Sequence, residues 1–191
     1  ESAGNLNDEK MDAFELGWRT RPNDKLLLEL SLYHYSTKDA VFSGPPIYST
    51  SNVKTNGAEL TFDYRPHNTW HLQGGYSYSR GKKDGNVQEE FPESMANISS
   101  HVKINDDLTF SQSLYFTSDR ILGPDSYNPF PIDDYLRLDL GLTWRVWSNW
   151  ELGLFGRDLL DPGHAENFYN DLDVEPGQVE RTFLLTLFKK F

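Results

Sequence analysis

The chain has 191 residues, a formal net charge of -11 and no cysteine, and 37% of its residues are hydrophobic. That length suits one ordinary domain, and the acidic balance argues against a nucleic-acid partner, which needs a basic patch. The missing cysteines exclude a disulfide framework and a thiolate metal site, and no apolar run approaches the length of a transmembrane helix.

The first residues, Glu1-Ser2-Ala3-Gly4, carry neither a basic start nor an apolar core, so no secretory leader is legible. Either a leader has been removed or the chain begins inside a longer protein. Beyond them, apolar and polar residues alternate almost everywhere. Phe14, Leu16 and Trp18 alternate with Glu15, Gly17 and Arg19. Leu26, Leu28, Leu30 and Leu32 follow, with Leu27, Glu29, Ser31 and Tyr33 between them. Ala58, Leu60, Phe62 and Tyr64 alternate with Glu59, Thr61, Asp63 and Arg65. Trp70, Leu72, Gly74, Tyr76 and Tyr78 alternate with His71, Gln73, Gly75 and Ser77. The same rhythm runs through Ala96–Ile104 and Leu108–Phe116. It is strictest from Leu136 to Val146, where four leucines, Trp144 and Val146 alternate with Arg137, Asp139, Gly141, Thr143 and Arg145. Trp150, Leu152, Leu154 and Gly156 then alternate with Glu151, Gly153, Phe155 and Arg157, and Phe183, Leu185 and Leu187 with Thr182, Leu184 and Thr186.

Period two is the signature of a strand with one oily and one polar face; on a helix these leucines would scatter around the cylinder. The pattern predicts about nine antiparallel strands of roughly ten residues, the length that crosses a bilayer at a tilt. The fold class is therefore all-β, a segment of an antiparallel transmembrane β-barrel over residues 1–191. Such a wall needs only alternate residues to be apolar, so its composition looks soluble.

Connection lengths support this. Short polar turns fall at Pro22–Lys25, Pro66–Thr69, Asn105–Asp107 and Ser148–Asn149, and between them lie long segments at about 37–55, 80–91, 119–134 and 161–178. Outer-membrane barrels segregate their connections in this way, with short turns in the periplasm and long loops outside. A short extra strand has room around Ile47–Ser51. Trp18, Tyr64, Trp70, Trp144, Trp147 and Trp150 all lie close to short turns. They read as an interfacial girdle, because an indole ring is apolar while its N–H seeks water.

The polar stripe holds Glu15, Arg19, Glu29, Glu59, Asp63, Arg65, Arg137, Asp139, Arg145, Glu151 and Arg157. These read as lumen-lining and plug-facing residues, since an arginine facing lipid at mid-depth costs about 2–4 kcal/mol. The long loops hold much of the acid, including Glu89, Glu90, Glu93, Asp119, Asp125, Asp171, Asp173 and Glu175. Solvated loop surface accounts for it; an entry surface for cations or metal chelates is the sharper alternative.

No nucleophile elbow or metal-protease motif is present, so no enzyme and no cofactor are expected. His164 and Glu166 are spaced as two metal ligands, but a lone His-x-Glu is more often a hydrogen-bonded loop pair, and no metal site is expected. Asn97-Ile98-Ser99 matches a glycosylation sequon by chance inside a strand. At the chain end, Phe183, Leu185, Leu187 and Phe191 share one stripe with Lys189. A terminal aromatic after alternate apolar positions resembles the strand that the barrel-assembly machinery recognises. If the last strand runs inward, counting back about nine strands puts residue 1 outside, whereas a complete barrel has an even strand count. The expectation is a fragment or truncated product.

Several segments, in order, resemble the C-terminal part of TonB-dependent receptors. Phe14-Glu15-Leu16-Gly17-Trp18-Arg19 is similar to an E-x-G-W-R strand opening, and the tyrosine-rich Leu30–Tyr35 to the strand after it. Asn56-Gly57-Ala58-Glu59-Leu60 is similar to a G-x-E opening and Gly75-Tyr76-Ser77-Tyr78 to a G-Y-S-Y strand. Tyr135–Asp139 is similar to Y-x-R-L-D, and Asp158-Leu159-Leu160-Asp161 with His164 and Glu166 to N-L-L-D-x-x-H-x-E, with Asp158 in place of the usual Asn. The resemblance covers nearly the whole chain. It implies a larger barrel closed by an N-terminal plug, contact with outer-membrane lipid, ligand capture at the outer face and energy from the TonB complex. The import of a scarce nutrient such as a ferric siderophore is the function it implies. A smaller barrel acting as pore or adhesin, or a soluble β-domain binding carbohydrate or lipid, are the alternatives.

Overall fold

The computed structural model describes residues 7–41, 50–123, 129–161, 163–167 and 177–190. Phe191, Asp125, Asp171, Asp173, Glu175 and the possible strand residues 47–49 lie outside them, as does the Glu166 side chain. In chain order the strands are β1 (Lys10–Asn23), β2 (Leu26–Val41), β3 (Thr50–His67), β4 (Trp70–Lys83), β5 (Asn86–Val87), β6 (Ser94–Lys103) and β7 (Leu108–Thr117). There follow β8 (Arg120–Leu122), β9 (Phe130–Ile132), β10 (Tyr135–Trp147), β11 (Trp150–Arg157), β12 (Gly163–Asn167), β13 (Gly177–Glu180) and β14 (Thr182–Lys189).

The nine long strands expected from periodicity form one antiparallel sheet in the order β1-β2-β3-β4-β6-β7-β10-β11-β14. Each long strand lies beside the one before it, across short turns and long segments alike. The long segments hold further β structure: β5 folds back on β4, and β8–β9 and β12–β13 are separate small hairpins.

Register carries the apolar stripes across the whole sheet. Leu16 pairs with Leu32, Leu30 with Leu60, Leu60 with Tyr76, and Ile98 with Leu114. Leu114 then pairs with Leu138, Leu142 with Leu154, and Leu154 with Leu185. One face thus carries an apolar band that crosses all nine strands, and many of its large side chains are exposed. Phe14, Leu16 and Phe183 are 69%, 67% and 73% exposed. Among the described residues only Ala40 and Ile132 are buried apolar residues. The described leucines therefore fill no interior core, and in water this sheet would present a large exposed apolar patch.

Turn chemistry explains the short connections. The Asn23 side-chain oxygen accepts the Lys25 N–H at 2.9 Å, and the Asn105 oxygen accepts those of Asp107 and Leu108 at 2.9 Å each. Register shifts between Thr20 and Asn23 and between Tyr64 and His67 bracket Pro22 and Pro66. A proline cannot donate to the ladder, so a bulge there removes the conflict.

The strands at the front of the chain are longer than the expected ten residues: β2 has 16 and β3 has 18. The oily stripe stops near the bilayer edge, but backbone pairing has no reason to stop there. At about 3.3 Å per residue β2 spans about 50 Å, more than the ~30 Å hydrocarbon layer even when tilted. Gly57, the glycine of the G-x-E opening, lies beneath the Tyr33 ring, and a Cβ there would collide with it. Tyr33 in turn stacks on Tyr35 with ring centres 5.1 Å apart.

Candidate functional site

The face opposite the leucines is polar and charged. Alternation and register place Glu15, Arg19, Glu29, Glu59, Asp63, Arg137, Asp139, Arg145, Glu151 and Arg157 on it. Arg65, at a bulge, joins them by reaching Asp63 at 3.3 Å. Arg19 meets its cross-strand partner Glu29 at 3.0 Å, and the Thr61 hydroxyl donates to Glu29 at 3.3 Å. The Tyr35 hydroxyl donates to Glu15. Asp63 also lies 2.8 Å from His71 Nε2, and Arg145 reaches Asp107 at 3.5 Å. The pairing is thus partly across strands and partly along one strand, since Arg65–Asp63 and Arg137–Asp139 are neighbours two residues apart. Most of these charged side chains are well exposed, so each such pair contributes little to stability, and both signs are interspersed on this face.

The six aromatic residues near the short turns stay at that end of the sheet. Trp18, Trp70, Trp144 and Trp147 are exposed, and Tyr64 and Trp150 half-buried. The Trp70 indole N–H donates to Ser100 Oγ at 3.0 Å. Lys189 lies over the Trp150 ring, 5.4 Å from its centre. Phe183, Leu185 and Leu187 project from β14 on the apolar face, with β11 as their strand's partner.

The structure brings together two motifs that lie apart in sequence. Arg137 holds Asp139 with both Nε and Nη2, at 3.0 and 2.6 Å, and stands over the Tyr115 ring. Asp139 Oδ1 accepts the Asp158 N–H at 3.0 Å, and the Leu159 N–H donates to the Leu138 carbonyl at 2.9 Å. The chain leaving β11 is thereby tied back to β10. Asp158 is 1% exposed and has φ of 55°. Asn and Asp tolerate that left-handed conformation best among side-chain-bearing residues, which explains the residue type here. His164 Nδ1 lies 3.3 Å from Asp158 and 3.4 Å from Asp161, and its ring stacks on Tyr135 at 4.0 Å. His164 therefore faces aspartates on the N-terminal side of it. Among the described residues no group of three His, Asp or Glu side chains is arranged to hold a metal ion. Nothing in the sequence links the two motifs; the Asn position of the second is the one local signal for a strained bend.

At the outer end a cleft of about 430 Å³ lies between the β5–β6 connection and β8, lined in part by Arg80, Glu89, Phe91, Glu93, Asp119 and Arg120. Arg80 pairs with Glu93 at 3.1 Å, so the loop acids are interleaved with arginines. The Ile121 N–H donates to the Glu89 carbonyl at 2.7 Å and closes one side.

The family model described as TonB dependent receptor-like, beta-barrel matches residues 1–159. No curated protein sequence matches the chain. Among solved structures, the ferric-catecholate import receptor Fiu from Escherichia coli is 20% identical, with a TM-score of 0.80. FpvA from Pseudomonas aeruginosa, solved bound to a heterologous pyoverdine with iron, is 17% identical, with a TM-score of 0.81. Both alignments cover 97% of this chain and 28% of the other. The copper transporter OprC is 16% identical, with a TM-score of 0.71, over 98% of this chain and 33% of that one. This chain thus spans about a third or less of the length of the receptors whose fold it shares. An exposed apolar face backed by a charged one, carried by nine strands with short turns at one end, and a match over most of the chain place it in the TonB-dependent receptor β-barrel family, outer-membrane proteins of Gram-negative bacteria.

Proposed function

We propose that this chain is the C-terminal wall of a TonB-dependent receptor that takes up a scarce nutrient such as a ferric siderophore. The observation that carries the reading is the two-faced sheet: leucines exposed on one side, paired charges on the other, over nine consecutive strands. On this reading the apolar side meets outer-membrane lipid, with Trp18, Tyr64, Trp70, Trp144, Trp147 and Trp150 at the inner interface. The charged side lines the lumen and docks a plug contributed by another part of the whole protein. Among the described residues β1 pairs only with β2, and β14 only with β11. A barrel leaves no open edge, so further strands are expected to cover both. Phe183, Leu185, Leu187 and Phe191 serve as the signal for the barrel-assembly machinery, and the TonB complex acts on the full-length receptor. The role is transport, with no catalytic step.

One neighbour in fold is named for ferric-catecholate import, one was solved with a pyoverdine and iron, and one is named for copper, so a metal or its chelate is the cargo class to test. Deleting the gene should abolish uptake of at least one radiolabelled ferric siderophore under iron limitation, and loss of TonB should do the same. Uptake of ferric chelates and copper that is unchanged in both strains sinks the proposal.

A further inference from the structure

We infer that the outer end of β1–β4 binds phosphate-bearing lipid of the outer leaflet through a basic band continuous with the apolar face. About ten residues of a tilted strand cross the hydrocarbon. Counted from Leu26, Tyr64 and Trp70 beside the short turns, that length ends near Ser36, Lys54 and Arg80. At and just above this level the face that carries Leu16, Leu30, Leu60 and Tyr76 becomes basic. Lys10 pairs in register with Lys38, and Lys54 with Lys82 and with Ser36. Arg80 lies one step nearer the leucines, opposite Asn56. All five cations are exposed.

Two like-charged pairs lie directly opposite each other on neighbouring strands, an arrangement that destabilises a sheet by itself. None of the four lysines forms an ion pair among the described residues. Register and pairing put two carboxylates at this level, Asp12 opposite Ser36 and Glu93 on Arg80, against the five cations. This concentration of positive charge stands in a chain whose net charge is -11, so it is a local feature. An anion bridging the paired ammonium groups removes their repulsion. At the height where acyl chains give way to headgroups, the anion that continuity with the apolar face selects is a lipid phosphate. The site goes beyond the transport reading and does not depend on the cargo; it needs only that the apolar face meets the outer membrane.

The test uses the protein purified from outer membranes in nonionic detergent, titrated with bisphosphorylated lipid A and with the same lipid stripped of its phosphates. Native mass spectrometry counts the lipid bound. The phosphorylated form should bind at least ~10-fold more tightly, with a preference that weakens as salt rises. Replacing Lys38, Lys54 and Lys82 together by Gln should bring the two affinities together. Equal binding of both lipids by the unaltered protein overturns the inference, and this comparison stands even if the variant fails to assemble. An unchanged preference in an assembled variant overturns it as well. Displacement of lipid A by an equal concentration of inorganic phosphate would identify a free-anion site and refute the lipid assignment.

Discussion

Single residues here are judged by the face they occupy. Leu140 pairs with Gln112 and Gly156 in the middle of β10. Leu140→Arg puts a guanidinium against hydrocarbon at mid-depth, at a cost of about 2–4 kcal/mol. We expect it to block assembly, seen as loss of heat-modifiable gel migration. Thr143→Arg, on the charged face of the same strand, should assemble normally. Asp158 is governed by its backbone. Asp158→Asn keeps the left-handed bend available, whereas Asp158→Val forces a β-branched residue into it and should cost roughly 1–2 kcal/mol more. Faster proteolysis at the β11–β12 connection in the Val variant than in the Asn variant is the readout.

The individual hairpins show how local chemistry fixes an element beyond the membrane. Asp84 and Gly85 have φ of 49° and 91°, the two positive values that a tight two-residue hairpin turn requires. The Asp84 carboxylate accepts the Asn52 N–H at 2.8 Å, and that backbone hydrogen bond, helped by Ser51, holds its carboxyl below the ordinary aspartate range. A lowered folded-state value means the carboxylate's contribution is complete above the ordinary value and is lost as pH falls through the lowered one. Exchange of the Asn52 amide, followed by hydrogen–deuterium exchange, should show no change in protection from neutral pH down to about 4 and a loss only below it. Asp84→Asn, which keeps the acceptor oxygen, should remove that acid-induced loss.

At the scale of the whole molecule, stability comes from an environment and not from an interior. With two buried apolar residues among those described, the sheet depends on lipid for the burial that a core gives a soluble protein. Its tryptophans then report depth. Lipids brominated near the headgroup should quench Trp18, Trp70, Trp144 and Trp147 more strongly than lipids brominated mid-chain, and water-soluble acrylamide should quench them less in bilayers than in the detergent-free unfolded chain. Stronger quenching from mid-chain positions would mean that these residues do not mark an interface.

The nine strands, their two faces and the order of short and long connections follow from the sequence alone, because alternation and turn residues are local properties. Leu136–Val146 is enough to say which residues of β10 share a face. The strand ends beyond the membrane were not legible, because the hydrophobic signal stops at the bilayer while hydrogen bonding in β2 and β3 continues to Val41 and Thr50. Tertiary structure alone decided that Asp139 and Asp158 meet, that Tyr33 covers Gly57, and that Lys10, Lys38, Lys54 and Lys82 form one band. Each of these depends on register between strands, and register is set by pairings across the sheet that no stretch of sequence contains by itself.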